Sequence, residues 1–361
     1  EYIQNIYAVT SRELGVGVTG SVRVVIDRET HEHYALKTIN LLGVPTEARE
    51  RLIKESMILA RLHHQNIVKL YEIYESNSAI YLVMELLSGG ELFDRLMAQP
   101  DHKFSEDYAC QIVREILNAI TYLHDYKNIA HRDLKLSNIM FADSSPDSEI
   151  KLIDFGLSKL MNNSDYTHSL VGTRNYIAPE IYMKDYQGSG YSKACDMWSL
   201  GCMAYELGCG RPLFQTHRHF FGNREHLALI NKLLGPIPQS MLAQLDPVTA
   251  SMFDNQGVVM WPPPVTKEIP EERQPGGWAS PDVSWNSRIR AVKAVRTAVT
   301  SIEQGMENVD PDFIDFVKRL VVIIPEDRMT MEEAVKHPFV TKRGELPPVD
   351  ISITGSVDQA Q

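Results

Sequence analysis

Residues 131–140 read HRDLKLSNIM, and this stretch places an acid, a cation and an amide at fixed offsets between apolar residues. Asp133 can accept a proton from a hydroxyl group, Lys135 can stabilise a transferred phosphoryl group, and Asn138 can offer a neutral oxygen to a metal ion. The offsets therefore predict one loop that gathers a base, a charge stabiliser and a metal ligand.

Two further motifs fit the same chemistry. Asp154 follows the apolar strand pattern IKLI at 150–153, and a carboxylate at the end of such a strand suits a hard cation such as Mg²⁺. Lys37 ends the apolar pattern YALK, where a half-buried ammonium group needs an anionic partner. Glu55, on a helix predicted over 47–62, can be that partner while Lys37 also reaches a phosphate.

A glycine-rich segment precedes these residues. Gly15, Gly17 and Gly20 have GxGxxG spacing, in which the missing side chains let backbone N–H groups approach phosphate oxygens. A dinucleotide-binding turn has the same spacing but opens a helix, whereas here the β-branched pattern SVRVVI at 21–26 predicts a second strand. We expect a hairpin that covers phosphates, with a plain glycine-rich turn as the alternative.

Composition excludes several classes of function. The 47 acidic residues exceed the 36 basic ones, and the resulting net charge of −11 argues against a general nucleic-acid binder and against an anionic-membrane binder. The N-terminal sequence lacks a signal-peptide pattern. Cys195, Cys202 and Cys209 recur every seven residues and are interpreted as buried thiols rather than as a disulfide or metal site. A reducing compartment, cytoplasmic or nuclear, is therefore expected.

The order of predicted elements indicates an α+β fold. Strand-like runs and one helix occupy 1–87, which we expect to form a small N-terminal lobe with an antiparallel sheet. A larger, mainly helical lobe is expected at 88–340, followed by a weakly structured tail at 341–361. Within the larger lobe, a Pro- and Gly-rich insertion is expected at about 236–305.

Taken together, these motifs resemble the eukaryotic-type protein serine/threonine kinases, and the resemblance runs from about Tyr7 to Val340. The pattern is completed by APE ending at Glu180, Asp196 in DMWSLG, and PEDR ending at Arg328. The resemblance implies a two-lobed kinase fold, ATP and Mg²⁺ as cofactors, and transfer of the γ-phosphate to Ser or Thr of protein substrates in signalling. It also implies a buried ion pair between Glu180 and Arg328.

The resemblance implies a role for each residue of the catalytic loop. Asp133 is expected to be the catalytic base, and Lys135 is expected to contact the γ-phosphate. The other charged or polar residues expected at the phosphates and at Mg²⁺ are Lys37, paired with Glu55, together with Asn138 and Asp154.

A nucleotide site is implied around the glycine-rich hairpin and the segment after the fifth strand. Val22, Ala35 and Met140 would enclose the adenine ring, Met84 would be the gatekeeper, and Glu91 would contact the ribose. The full set expected to bind the nucleotide is Gly15, Val16, Gly17, Val18, Gly20, Val22, Ala35, Lys37, Met84, Glu85, Leu87, Glu91 and Met140.

Regulation is expected in the activation segment that follows Asp154. Ser169, or otherwise Thr167, lies where related kinases carry an activating phosphate, and Arg132 is the expected partner of that phosphate. The phosphate would come from an upstream kinase or from autophosphorylation.

The features of two kinase groups are mixed in this chain. MELLSGGELFDRL at 84–96 resembles the calcium/calmodulin-dependent group, whereas EHLALINKLLGPIP at 225–238 and the insertion resemble the cyclin-dependent, MAP and Clk-like kinases. No calcium-binding loop and no calmodulin-binding tail is evident. Glu91 and Glu206 are expected to be exposed carboxylates that attract substrate Arg, and Ile177 replaces the Arg of proline-directed kinases. A mild preference for Arg before the target residue follows.

Two alternatives stay open. The stretch SRIRAVKAVRTAVTSI at 287–302 sets Arg288, Arg290, Lys293 and Arg296 against apolar residues and predicts a helix packed on the large lobe, with a partner-docking element as the alternative. A pseudokinase or scaffold acting through the insertion is the alternative to an active kinase. It would predict loss of a catalytic residue, and none is lost.

Overall fold

The computed structural model describes residues 3–17, 20–154, 174–182, 193–216, 222–262, 290–347 and 349. The chain divides into two compact units, which are described separately. The first comprises Glu1–Ala98, Gln111–Ser169 and Gly344–Gln361, and the second comprises Gln99–Cys110 and Leu170–Arg343. The lobe boundaries expected from the sequence stay a prediction.

A five-stranded antiparallel sheet in the order β1-β2-β3-β5-β4 dominates the start of the first unit. Its strands are β1 (Tyr7–Gly17), β2 (Gly20–Asp27), β3 (His33–Asn40), β4 (Leu70–Glu75) and β5 (Ala79–Met84). A short helix α1 (Ile3–Ile6) precedes the sheet, and α2 (Thr46–Leu59) lies between β3 and β4 in the chain. The predicted small antiparallel sheet with one helix is confirmed.

Two apolar clusters hold this sheet together. Leu52 of α2 is fully buried among Ile39, Ile80 and Leu82, which come from β3 and β5. A second cluster joins residues of four strands, and its members are Tyr7, Val25, Leu36 and Val83. Burial of such side chains stabilises the fold by roughly 1.5–3 kcal/mol each. The β-branched runs that predicted strands therefore supply the core.

A hairpin at the other end of the first unit positions the catalytic motifs. After α3 (Leu92–Met97) and α4 (Glu106–Thr121), a short 3-10 turn at Leu136–Asn138 leads into β6 (Ile139–Phe141), which pairs with β7 (Ile150–Leu152) in antiparallel register. Ile139 lies opposite Leu152. The residues before β6 and after β7 therefore emerge at the same end of the hairpin.

The second unit is mainly helical. Its later helices are α5 (Ala194–Cys209), α6 (Gly222–Leu234), α7 (Gln239–Leu242), α8 (Pro247–Ala250), α9 at 290–297, α10 (Ile302–Gly305), α11 (Pro311–Leu320), α12 (Met331–Val335) and α13 (Pro338–Thr341). α5 is buried on nearly all sides and packs against α11 at Gly201, where a Cβ atom would lie 2.8 Å from the Leu320 side chain. None of the described helices has the length and apolar character needed to cross a membrane.

The interpretation as buried thiols is confirmed for Cys195 and Cys202 of α5, whereas Cys209 at the end of this helix is a free thiol that is only half-buried. The predicted ion pair is confirmed as well. Arg328 Nη1 and Nη2 donate to the Glu180 carboxylate at 2.7 and 3.0 Å, and both side chains are fully buried. Arg328 also donates to the backbone oxygens of Ala194 and Val322, so the guanidinium group is well satisfied.

Candidate active site

The hairpin formed by β6 and β7 joins the catalytic loop to the predicted metal-binding carboxylate. Asn138 immediately precedes β6, and Asp154 follows β7. The backbone N–H of Ile153 donates to the Asn138 carbonyl at 2.9 Å, which ties the two segments together at one end of the hairpin. The two residues expected to hold Mg²⁺ are therefore placed on segments that are in direct contact.

Asp133 is buried and is held by two neighbours. Lys135 Nζ and Asn138 Nδ2 each lie 3.0 Å from Asp133 Oδ2, and Asn138 Nδ2 also donates to the Asp133 carbonyl at 2.8 Å. The NH₂ group of the Asn138 side chain is therefore occupied by hydrogen bonds within the loop. The side-chain oxygen of Asn138 is the atom that can coordinate a cation. The predicted base, charge stabiliser and metal ligand are brought together.

Lys37 reaches the same site from the sheet. On β3 it lies opposite Val22 of β2 and Leu82 of β5, and its Nζ forms an ion pair with Asp154 Oδ1. The Lys37 side chain is 13% exposed and that of Asp154 is 49% exposed. The expected Lys37–Glu55 pair stays a prediction, because the Glu55 side chain lies outside the described residues.

Two residues of the site have left-handed backbone conformations. Arg132 has φ 69° and Asp154 has φ 54°, which are unfavourable for residues with a Cβ atom. Hydrogen bonds of the buried His131 hold the two segments: its Nδ1 accepts from the Asp133 N–H at 3.4 Å, and its Nε2 lies 3.3 Å from the Ile153 oxygen. Because Nδ1 accepts, the ring proton is on Nε2 and bonds Ile153.

Two polar residues that the sequence did not single out, the buried Asn66 and the half-buried Glu115, support the hairpin. Asn66 Nδ2 donates to the Ile150 oxygen at 3.0 Å, and Glu115 Oε2 accepts from the Ile150 N–H at 2.9 Å and from Asn66 Nδ2 at 3.3 Å. Burial raises the pKa of Glu115. A signal was available, because Glu115 lies inside an apolar helical pattern.

The residues predicted to surround adenine belong to the same unit. Ala35 pairs with Met84 across β3 and β5, and Met140 forms a bridge with Glu91. Burial, followed by the nearby Asp94 carboxylate, raises the pKa of Glu91.

The hinge segment after β5 has free backbone groups. The Glu85 N–H donates to the Lys69 oxygen at 2.9 Å, and the Glu85 side chain pairs with Lys151 at 3.1 Å. Among the described residues, the N–H and C=O groups of Leu87 and the C=O group of Glu85 form no hydrogen bond. Backbone groups without a described partner, close in the chain to the apolar Met84 that pairs with Ala35, fit a planar heterocycle such as adenine.

The glycines of the loop differ in how strictly the structure requires them. Gly20 has φ +147°, and a Cβ atom there would lie 1.7 Å from the Thr38 oxygen, so contact with β3 requires glycine. A Cβ atom at Gly15 would meet nothing within 4 Å, so described contacts do not require glycine at this position. Val18 and the side chain of Val16 lie outside the described residues, and Gly17 pairs with Gly20 as the hairpin closes.

The expectation that Glu206 is an exposed carboxylate is wrong. Glu206 is 2% exposed, and its Oε2 accepts a hydrogen bond of 2.5 Å from the Tyr176 hydroxyl. Burial raises the pKa of Glu206 to about 7, although the Tyr176 hydrogen bond acts in the opposite direction. The physical reason is that α5 has no solvent-facing side over most of its length. The mostly apolar residues around Glu206 in the sequence MAYELG could have indicated that this carboxylate is buried.

The predicted regulatory residues are only partly described. Ser169 and Thr167 lie outside the described residues. Arg132, the expected phosphate partner, is described, and it directly precedes Asp133, the expected catalytic base, in the chain.

Comparison with known proteins agrees with this geometry. The model of the protein kinase domain family matches residues 8–340. Calcium-dependent protein kinase 5 from Plasmodium berghei (strain Anka) is 43% identical over 213 residues, which are 59% of this chain and 36% of that protein. The probable serine/threonine-protein kinase fhkC from Dictyostelium discoideum is 30% identical over 335 residues, which are 92% of this chain and 44% of that protein.

A solved structure supports the same assignment. The crystal structure of Rad53 1-466 in complex with AMP-PNP superposes with a TM-score of 0.57 at 25% identity, and it covers 94% of this chain and 66% of that chain. The chain spans less than half the length of the two relatives above. The resemblance and the two-lobed kinase fold expected from the sequence are confirmed, and the chain belongs to the protein kinase domain family.

Proposed function

We propose that this protein is a serine/threonine kinase that transfers the γ-phosphate of ATP to Ser or Thr of protein substrates with the help of Mg²⁺. The observation that carries the proposal is the buried Asp133, held at one carboxylate oxygen by Lys135 and Asn138. Relatives named as serine/threonine and calcium-dependent protein kinases support it. When bound, ATP and Mg²⁺ supply the phosphoryl group and much of the charge stabilisation.

The residues of the catalytic loop have separable tasks. The Asp133 carboxylate orients the substrate hydroxyl group and accepts its proton as the oxygen attacks phosphorus. Lys135 stabilises negative charge on the transferred group, and its contact with Asp133 holds the carboxylate in position. Asn138 and Asp154 are the oxygen ligands that would hold Mg²⁺.

The nucleotide would be held by the sheet and the hinge. Lys37 is an ammonium group with a single described carboxylate partner, Asp154, and it can contact phosphate oxygens. The free C=O of Glu85 and the free N–H and C=O of Leu87 would bind the adenine edge. The described donors and acceptors therefore fit ATP and Mg²⁺.

A phosphotransfer assay with a degenerate peptide library and γ-labelled ATP tests the function. We expect Mg²⁺-dependent labelling of Ser and Thr peptides and loss of labelling in Asp133→Asn, which keeps the shape of the side chain. An equal rate in Asp133→Asn, or no labelling by the wild type at any Mg²⁺ concentration, would favour the pseudokinase or scaffold alternative.

The same library reports substrate preference. Because Glu206 is buried and bonded to Tyr176, the half-buried Glu91 is the remaining carboxylate of the two considered for substrate Arg. An ion pair near the surface contributes only about 0–1 kcal/mol, so Arg before the target should help by at most about fivefold. Pro directly after the target should bring no gain, because Ile177 replaces the required Arg. Strong selection for Pro would contradict this preference.

We also propose that phosphorylation at Ser169, or at Thr167, raises activity. A phosphate there would form charge-assisted hydrogen bonds with Arg132 and order the activation segment. Phosphatase treatment should lower the rate, and mass spectrometry should find one of the two sites modified in active protein. Full activity of Ser169→Ala, Thr167→Ala and their combination would refute the proposal.

A further inference from the structure

Helix α9 carries three exposed cations on one side, and we call Arg290, Lys293 and Arg296 the basic stripe. We propose that the basic stripe is a docking surface for a short acidic segment of a partner protein. The proposal concerns binding alone and stands or falls independently of phosphotransfer.

Packing fixes the direction in which the stripe faces. Ala291 and Val295 are buried, so the side of α9 opposite the stripe faces away from solvent. Residues three apart in a helix lie on neighbouring turns of the same side. The helix cannot rotate without exposing its apolar residues, and the three cations are therefore presented to solvent together. This confirms the predicted packed amphipathic helix, while Arg288 lies outside the described residues.

The charges of the basic stripe have no ion-pair partner in the part of the chain that the structure describes. The sequence from 290 to 302 contains no acidic residue. Most cations near the end of the second unit do pair, in Lys318–Glu303, Arg319–Glu333, Lys336–Glu332, Lys342–Asp310 and Arg343–Asp107. In a chain with a net charge of −11, three adjacent exposed cations without a described ion-pair partner form a local positive surface.

Lys232 of α6 reinforces this surface. Its Nζ donates to the carbonyl oxygens of Val295 and Arg296 at 2.7 and 2.6 Å, at the C-terminal end of α9. The ammonium group offsets the negative end of the helix dipole, which would otherwise repel a carboxylate. It also fixes the helix end, so the stripe is ordered before a partner arrives.

The size of the stripe favours a short peptide over a long polyanion. At 1.5 Å per residue, Arg290 and Arg296 are separated by about 9 Å along the helix axis. An extended acidic segment of about three or four residues covers that distance. Nucleic acid or an anionic membrane would extend beyond the stripe and meet a protein whose remaining surface is net negative.

Fluorescence anisotropy with the full chain and a fluorescein-labelled Gly-Glu-Glu-Glu-Glu-Gly peptide tests the proposal. We expect binding in about 50 mM salt that weakens strongly in about 300 mM salt, and no binding of the matched peptide with Gln at the four Glu positions. The combined variant Arg290→Gln, Lys293→Gln and Arg296→Gln should weaken binding about tenfold.

A matched control removes the same charge elsewhere, at exposed residues that form no ion pair among the described residues: Arg12→Gln, Arg61→Gln and Lys127→Gln. Its affinity should stay within about twofold of the wild type. Equal weakening in both variants, or unchanged binding in the stripe variant, would overturn the proposal. Competition with vesicles of anionic lipid provides a further test. If the vesicles displace the labelled peptide at a lower concentration of negative charge than the unlabelled peptide does, the proposal is also overturned. If the combined variant does not fold, Lys293→Gln alone should weaken binding about two- to threefold.

Discussion

Lys37→Met should lower the rate of phosphotransfer by about 10²–10³-fold, because it removes a cation that would be aimed at the phosphates of the nucleotide. In the structure the Lys37 ammonium group forms an ion pair with Asp154, which is proposed to hold Mg²⁺. A Met side chain of similar length cannot replace that charge. The loss should appear in the chemical step and not only in nucleotide affinity.

The fold should survive this substitution. Lys37 lies in the middle of the sheet between Val22 and Leu82, where the apolar stem of the side chain packs and Met can replace it. The partner that is left behind, Asp154, is half exposed and can be hydrated, so the loss of stability should be only about 0–1 kcal/mol.

Single-turnover phosphotransfer and thermal unfolding measure the two effects on one sample. Lys127→Met is the matched control, because Lys127 belongs to the same unit, is exposed and lies over the Tyr122 ring. Near wild-type turnover by pure Lys37→Met would contradict the role given to Lys37. A large drop in the unfolding midpoint would instead mean that Lys37 stabilises the sheet.

Glu206→Gln should raise the free energy of unfolding at pH 8 by about 1–3 kcal/mol. In the folded protein the pKa of Glu206 is about 7, compared with the ordinary value of 4.5. Folding therefore becomes less favourable when this carboxylate has to ionise in its buried position. Gln can still accept the hydrogen bond from Tyr176 and carries no charge.

The sign of the pH dependence follows from the direction of this shift. As pH rises from about 4.5 to about 7, the unfolded chain releases the Glu206 proton while the folded chain keeps it, so the group makes the folded state less stable with rising pH. The full contribution of Glu206 to the free energy of unfolding is present below about pH 4.5 and is lost as the pH rises through about 7. The variant lacks this dependence.

Urea unfolding at pH 5 and pH 8 measures the difference between the two proteins. The gain in unfolding free energy of Glu206→Gln over the wild type should be present at pH 8 and nearly absent at pH 5. Glu307→Gln, an exposed residue of the same unit, should change neither value. A Glu206→Gln variant that is less stable than the wild type at pH 8 would show that the carboxylate is ionised at little cost.

The sequence predicts the catalytic loop well because its chemistry is local. Asp133, Lys135 and Asn138 lie within one short segment, and the turn that joins them leaves few ways to arrange the three side chains. The strands β2 and β3 could also be predicted from the sequence, because both contain β-branched residues at strand-like spacing. The helix predicted over 47–62 ends at Leu59 in the structure, as helix ends depend on packing.

What the sequence could not predict depends on contacts between distant segments. The burial of Glu206 is set by what surrounds α5 on all sides, and its partner Tyr176 lies 30 residues earlier in the chain. Asn66 and Glu115, which bond the Ile150 backbone, come from segments separated by 49 residues. Motif spacing carries no information about such pairs, although a polar residue inside an apolar pattern marks a position worth testing.

The buried ion pair of Glu180 and Arg328 joins two distant positions at an entropic cost that depends only weakly on the length of the chain between them. The two residues are 148 positions apart, yet their contact uses only atoms at the two ends of that loop. Loop-closure entropy grows with the logarithm of length, so 50 additional residues between them would cost only about 0.3 kcal/mol. Insertions or deletions in the chain between the two residues therefore carry only a small entropic penalty. The ion pair can remain intact when the length of that chain changes.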